Sequence, residues 1–393
     1  MFIGRGSLPA NYADFAAEAS QALILPSPNP QFLFAHWATA GRIAAQAFDA
    51  GMAPEGFMRG AMGGVDIPVD LDRMIRAVES YPGAIKSIDD FGQNAGDTIK
   101  FQRLVRDAGG LSESSRELVG DATISTTGVA VKTEEVPVVL KPFTGPYAST
   151  GSGVAPYKIV EFDAKYRANK ISLASLVNDA LSYDYTYWLD TVIRDRFRAS
   201  TYTTLSNENF TDVSDYVTGG NSQFSTEQVL RARKTLADRE WMHFPNGRYV
   251  LVVPTAFNTH MLSDIEYREL SKSHADVNQL YGYIGSIQDI DIFECSTTKQ
   301  YVATDTVAGD KTGTVGTSVV LEEALMFGPG CVGFGTAGAE YNPGDPSSRM
   351  MGPVLRFSDS TNFGTSAMVI WYALHAFQTL DERGCQRLIA QSA

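Results

Sequence analysis

The sequence predicts an α+β protein whose helices and strands interleave in one discontinuous body. Three stretches carry that prediction. Ile171 to Thr201 repeats apolar residues at helical spacing, with no Gly or Pro to interrupt it. Gly96 to Leu140 changes to a two-residue alternation, the period of a half-buried strand pair. Arg248-Tyr-Val-Leu-Val-Val-Pro254 is a continuous apolar run, as a strand buried on both faces would be. At 393 residues the chain has room for two or more sub-domains with a sizeable core.

In the helical stretch the apolar face is Leu173, Leu176, Val177, Ala180 and Leu181, then Trp188, Leu189, Val192 and Ile193. Ser172 can cap its start, because a hydroxyl there accepts from a free first-turn N–H. Asp190 and Arg194 stand four apart, in the orientation that favours pairing on a helix surface. At 1.5 Å per residue the helix runs roughly 40 Å. One compact core cannot cover such a rod, so it is expected to be a spine for several elements.

Residues 1–90 read as an arm and not as an independent domain. Leu25-Pro-Ser-Pro-Asn-Pro30 is extended, since each Pro biases its predecessor away from the helical region. Two short helices follow. One spans about Ala35 to Ala50 with Trp37, Ile43, Ala47 and Phe48; the other carries Leu71, Met74, Ile75 and Val78 up to Tyr81-Pro82-Gly83. Packing onto the subunit's own core and reaching over a neighbour both stay open for them.

Residues 91–165 hold a long hairpin and a linker. Thr98 to Gln102 alternate, as do Val136, Val138 and Leu140, around a polar middle from Asp107 to Asp121. A lone two-stranded hairpin is marginal in water, so this one must lie on something. Its length suggests a neighbouring subunit; extra strands on a local sheet are the alternative. A Gly/Ser/Pro linker from Phe143 to Pro156 then returns the chain to the spine.

Residues 166–247 hold the spine, a polar loop from Asn207 to Gln223, and a helix opened by the capping box Ser225-Thr-Glu-Gln228 and ending near Trp241. Its basic surface (Arg231, Arg233, Lys234, Arg239) is expected to be solvated or intersubunit. Residues 248–345 start with the buried strand and pass through helical text to about Leu280. A turn after Gly282 leads into another strand, Tyr301 to Ser318 is a loop or hairpin, and Val319 to Phe327 is a strand. Residues 346–393 carry strands at Val354–Arg356 and Ser366–Leu380, then a short tail.

Hydrophobic content of 44% and charged content of 20% describe a folded chain. Its 32 basic and 45 acidic residues leave a formal charge of −13. That balance argues against tight nucleic-acid binding, which needs clustered Lys and Arg, but suits a wall that faces nucleic acid without gripping it. Cys295, Cys331 and Cys385 form no CxxC unit, and no histidine has zinc-ligand spacing. No disulfide framework, metal or cofactor is expected. The segment MFIGRGSLPA lacks the apolar core of a secretion signal and no run approaches a membrane span, so a soluble intracellular product is expected.

Motif matches fail on context. Gly333-Phe-Gly335-Thr-Ala-Gly338 fits GxGxxG, but Pro343 and Pro346 block the helix that should follow. Ser296-Thr-Thr-Lys299 fits SxxK without its companion motifs, and Asp90-Phe91-Gly92 lacks any kinase partner. Asn209-Phe-Thr211 is a sequon that matters only in a secreted protein. Carboxylate pairs such as Glu322-Glu323 are too common to diagnose acid–base chemistry, and no His lies near a Ser or Cys nucleophile in a recognisable motif. The sequence builds no active site.

Taken together, the chain resembles the major capsid (coat) protein of tailed bacteriophages, with the Hong Kong ninety-seven fold in its podovirus-type form. Gly96-Asp-Thr-Ile-Lys-Phe101 is similar to the start of the family's extended hairpin loop, and Ser172 to Arg198 to the long spine helix of its peripheral domain. Tyr249 to Pro254, the helix after it and Gly282-Tyr-Ile-Gly285-Ser-Ile resemble its axial domain. Ser366 to Leu380, with Asp381-Glu-Arg383, resembles its closing peripheral strand. The likeness covers about residues 90 to 390. Asp289 stands where a glycine is often found, and Asp also tolerates a tight turn.

The resemblance implies no enzyme and no cofactor. It implies an N-arm and hairpin that overlap adjacent subunits, in hexamers and pentamers of an icosahedral virion capsid assembled in the host cytoplasm. Packaged double-stranded DNA would be enclosed without sequence-specific binding. A separate scaffolding protein, a portal and a decoration protein are the other implied partners, and no membrane. Lys100, Arg103, Arg106 and Lys132 on the hairpin, and Asp190, Arg194 and Arg198 at the charged end of the spine, are the expected contacts with neighbours. Some members cross-link a hairpin Lys to an Asn; Lys100, Lys132, Lys141, Asn342 and Asn362 are available, but no cross-link is expected. The alternatives are an encapsulin-like compartment on the same fold and a hydrolase with an unrecognised site.

Overall fold

The computed structural model describes residues 32–38, 81, 84–88, 98–104, 133–146, 157–160, 173–218, 222–265, 267, 283–296, 299–307, 309, 311–336, 354–361 and 366–392. In chain order the elements are α1 (Leu33–Ala38), β1 (Ile85–Ile88), β2 (Thr98–Leu104), β3 (Thr133–Val139), β4 (Lys141–Gly145), β5 (Tyr157–Val160), α2 (Leu173–Arg198), β6 (Thr203–Leu205), α3 (Asp215–Thr218), α4 (Thr226–Asp238), β7 (Tyr249–Val253) and α5 (Thr255–Ser263). There follow β8 (Tyr283–Ile287), β9 (Ile290–Glu294), β10 (Gln300–Tyr301), β11 (Thr306–Val307), β12 (Gly313–Thr314), β13 (Leu321–Phe327), β14 (Val332–Thr336), β15 (Val354–Thr361), β16 (Ser366–Thr379) and β17 (Cys385–Gln391).

Two mixed sheets carry the fold. In one, β16 is the axis, ordered β1-β14-β16-β15 with β4 and β5 also paired to β16. The other runs β6-β17-β13-β7-β9-β8, with β10 added to β13. Both long strands foreseen from apolar runs, β7 and β16, are present, and every residue of β7 is buried. The α+β class is therefore as expected.

The spine is α2, 26 residues long and inside the expected span. Leu181, Tyr185, Leu189, Ile193 and Phe197 recur every four residues and are all buried, so one face is continuous. That face enters a core made from both sheets, with Val250, Val252, Phe293, Leu325 and Phe327 on one side of the chain order and Val332, Phe334, Trp371 and Phe377 on the other. Trp188 and Val192 pack at its margin. Tyr185 and Phe197 lie outside the apolar set read from the sequence, yet they are as fully buried as Leu181 and Ile193. Ser172 lies outside the described residues.

The arm is partly core. Phe32, Leu33, Phe34, Ala35, Trp37 and Ala38 are buried in the same cluster as the spine. A helix of six residues cannot hold itself together in water. It is held by Asp190 of α2, whose Oδ1 accepts from the N–H groups of Phe34 (2.9 Å) and Ala35 (3.2 Å). For this piece, packing on its own subunit is the outcome; the second expected helix lies outside the described residues.

Two local readings change. The Phe143–Pro156 linker begins as a strand, because β4 pairs with β16 from Lys141↔His375 to Gly145↔Trp371. The expected C-terminal tail is β17, buried at all seven positions between β6 and β13. Its polar Gln386, Arg387 and Gln391 hid the apolar signal, and they are bonded inside the sheet. Gly333 and Gly335 of the GxGxxG string lie in β14, where a Cβ on Gly333 would stand 2.9 Å from Phe101 of the hairpin. Gly333 is small to let the hairpin pack. The two sheets exchange strands along the chain: β14 belongs to the sheet of β16, and β17 to the sheet of β7.

The capping box forms by half. Ser225 Oγ accepts from Gln228 N at 3.3 Å, but the Gln228 amide points inward, donating to the carbonyls of Thr204 (2.9 Å) and Ile389 (3.0 Å). Asp264 supplies the second acceptor, taking Thr226 N (3.1 Å) and Oγ1 (2.7 Å).

Candidate functional site

Among the described residues no three His, Cys, Asp or Glu side chains gather as metal ligands. The thiols are buried, and burial pushes those of Cys331 and Cys385 well up, so neither is a thiolate nucleophile near neutrality. A cavity of about 460 Å³ opens at the start of α5, lined by Pro254, Thr255, Ala256, Ser296, Gln300 and Glu322. Its carboxylate is committed: Glu322 Oε1 accepts from Gln300 Nε2 (2.6 Å) and Ser392 Oγ (2.8 Å). Lys299 of the SxxK string lies over the Tyr301 ring, 4.8 Å from its centroid. None of this assembles a nucleophile, a base and an oxyanion site.

What the molecule presents instead is a hairpin and a charged spine end. The hairpin base, β2 with β3, has one apolar face. Phe101, Val138 and Leu140 are buried with Ala376 and Leu380, so the base sits on its own subunit and not on a neighbour. The opposite face, with Thr98, Lys100, Glu135, Pro137 and Val139, is exposed. Lys100 pairs with Glu135 across the strands at 2.7 Å, a solvent-side contact of small net worth. Beyond the Phe101↔Val136 register, the pair Arg103↔Glu134 follows, and Glu134 is exposed. The described register ends one pair further on, at Leu104↔Thr133. Arg106 and Lys132 lie outside the described residues.

At the charged end of the spine Asp190, Arg194 and Arg198 turn inward, while Asp195 and Arg196 stay exposed. Asp190 is fully buried as the cap of α1. Arg194 is 7% exposed and forms no pair with Asp190 of the kind the spacing suggested; its Nε and Nη1 have no hydrogen-bond partner among the described residues. Arg198 Nε donates to Glu323 Oε2 at 3.0 Å, and its Nη1 to Asp195 Oδ1 at 2.7 Å. These three side chains serve the subunit's own packing, where an outward role was expected. Three of the four basic side chains read on the α4 face are likewise engaged: Arg233 forks onto Asp289, Arg231 donates to the carbonyls of Leu205 and Ser206, and Arg239 stacks on Tyr202, while Lys234 is exposed. Asp289 replaces the expected glycine because the left-handed residue of that turn is Gln288, with φ of 52°.

The polar centre that sequence reasoning passed over is Glu323. Burial pushes its carboxyl up, but Arg387 and Arg198 outweigh that and hold it below the usual carboxylate range. The signal was an acid inside an apolar strand, Leu321-Glu-Glu-Ala-Leu-Met-Phe327, with an Arg inside another, Cys385-Gln-Arg-Leu-Ile389.

The architecture is the tailed-phage capsid fold: a spine helix against a sheet built on one long strand, a hairpin rooted beside it, and a second mixed sheet with flanking helices. The capsid of Ralstonia phage GP4 matches it with a TM-score of 0.51 at 13% identity, over 79% of this chain and 87% of that chain. The head structure of Helicobacter pylori bacteriophage KHP40 matches at 0.49 and 9% identity, over 79% and 87%. The cyanophage Pam1 capsid asymmetric unit matches at 0.47 and 11% identity, over 77% and 86%. No protein-family model matches the chain, and no curated protein matches it in sequence.

Proposed function

We propose that the chain is a major capsid protein, a structural subunit and not an enzyme. Many copies tile, as hexamers and pentamers, an icosahedral virion shell around double-stranded DNA, assembled in the host cytoplasm. The carrying observation is a capsid fold that spans most of both chains, with a hairpin base whose outer face, at Lys100, Glu135, Pro137 and Val139, is exposed. An extended hairpin without its own floor gains stability only by lying on another surface. The net charge of −13 fits DNA enclosed without being gripped. A separate scaffolding protein, a portal and a decoration protein complete the proposed partners, and the exposed Lys100 face of the hairpin is the proposed contact with a neighbouring copy. Lys100 lies there in an ion pair with Glu135, and the proposal includes no cross-link through it.

Size-exclusion chromatography and negative-stain microscopy of the expressed chain, alone and with its scaffolding protein, test this. Closed particles are expected. A discrete monomer or dimer under both conditions overturns it. DNA inside particles from infected cells separates a virion from a cargo-loaded compartment, a reading that no feature of the fold favours.

A further inference from the structure

Four elements converge on one carboxylate where the spine meets the sheet. Glu323 of β13 is 2% exposed. Its Oε1 accepts from Arg387 Nε of β17 at 2.7 Å, and its Oε2 from Arg198 Nε, the last residue of α2, at 3.0 Å. Tyr301 of β10 donates its hydroxyl to the same carboxylate and accepts from Arg198 Nη2 and Arg387 Nη2, each at 2.9 Å. Arg387 Nη1 reaches the carbonyl of Ser200, and Asp195 on the helix surface balances the second cation. The helix then passes through four residues into β6, the edge of the same sheet.

Apolar contacts at this end, such as Phe197 on Phe327 at 4.5 Å, hold the parts together but are non-directional. A buried ion cluster adds little stability over apolar packing, yet each of its bonds demands an orientation. We propose that the Glu323 cluster is the joint that sets the angle between the spine helix and the seven-stranded sheet, and through that angle the curvature of the shell. The curvature part rests on the capsid reading above. The joint itself does not.

Arg198→Met removes the one member that belongs to the helix and leaves the Glu323–Arg387–Tyr301 bonds in place. The joint is read on the subunit by pulsed spin-label distances between Tyr183→Cys on the spine and Lys234→Cys on α4; the three native cysteines are buried and leave the labels selective. Tyr183 is a lever of about 22 Å from Arg198, so a swing of roughly 5° moves its label by about 2 Å. Arg198→Met is expected to at least double the width of the distance distribution. A width equal to that of the unaltered protein overturns the joint. Asp289→Asn cuts the Arg233 fork elsewhere and is expected to lower the melting temperature without broadening. If Arg198→Met precipitates, Arg198→Lys keeps the charge, loses the fork and is expected to broaden by less; no broadening overturns the proposal. In assembly, Arg198→Met is expected to give shells of more than one diameter, and uniform shells of the original diameter overturn the curvature part. An unaltered protein that never forms shells counts against the capsid reading alone, since the label distances still decide the joint.

Discussion

Asp190→Ala tests whether the arm's first helix is held by one buried carboxylate. The substitution strips the acceptor from two buried N–H groups, those of Phe34 and Ala35. Each orphaned buried donor costs about 1–3 kcal/mol, so the pair costs about 4 kcal/mol. A six-residue helix has no reserve of its own, and losing its anchor frees Phe34 and Trp37 from the core they share with Phe197 and Phe327. Asp190→Asn keeps an acceptor oxygen and should cost about 1 kcal/mol. Guanidinium unfolding of the subunit measures both, and hydrogen exchange at the amides of residues 34 and 35 locates the effect. Protection at these amides should collapse in the alanine variant and persist in the asparagine variant. If the two variants unfold alike, or if alanine costs under about 1 kcal/mol, the capping argument is wrong.

Two further outcomes follow from the same packing. Trp188 lies against the rings of Phe143 (4.9 Å), Trp371 (5.1 Å) and Phe377 (5.8 Å), so Trp188→Asp sets a charge among three aromatic side chains. It should cost about 3–5 kcal/mol and give insoluble or unassembled protein, and normal particles would refute the placement of that face. Glu323 contributes acid-sensitive stability. Its folded carboxyl titrates below its ordinary value of 4.5, so its share is fully present above that pH and is lost as the pH falls through the lower folded value. The stability gap between the parent and Glu323→Gln should therefore narrow steadily on acidification below about pH 4.5; a gap independent of pH would show that the cluster is not ionised as described.

Local pattern by itself determined the long helix and the hairpin base, from apolar repeats, the strands β7 and β16, from continuous apolar runs, and the helix opened by Ser225, from its capping box. The absence of any catalytic spacing, and the arrangement of a hairpin, a spine and a strand–helix–strand body in that order, were legible too, and they pointed to the capsid fold. Three things only the tertiary structure decided. Asp190 and Arg198 look like surface charges on a helix until α1 and Glu323 are brought beside them from residues far away in sequence. The last strand looks like a tail because Gln386, Arg387 and Gln391 are polar, and only their long-range partners make that strand a buried one. The sequence rules out a cofactor loop at Gly333 but gives no reason for the glycine, which Phe101 lying over it supplies. In each case the deciding energy comes from a contact between segments that share no local pattern: a buried polar group is tolerated only where a distant partner completes it, and a spacing rule along the chain cannot report that partner.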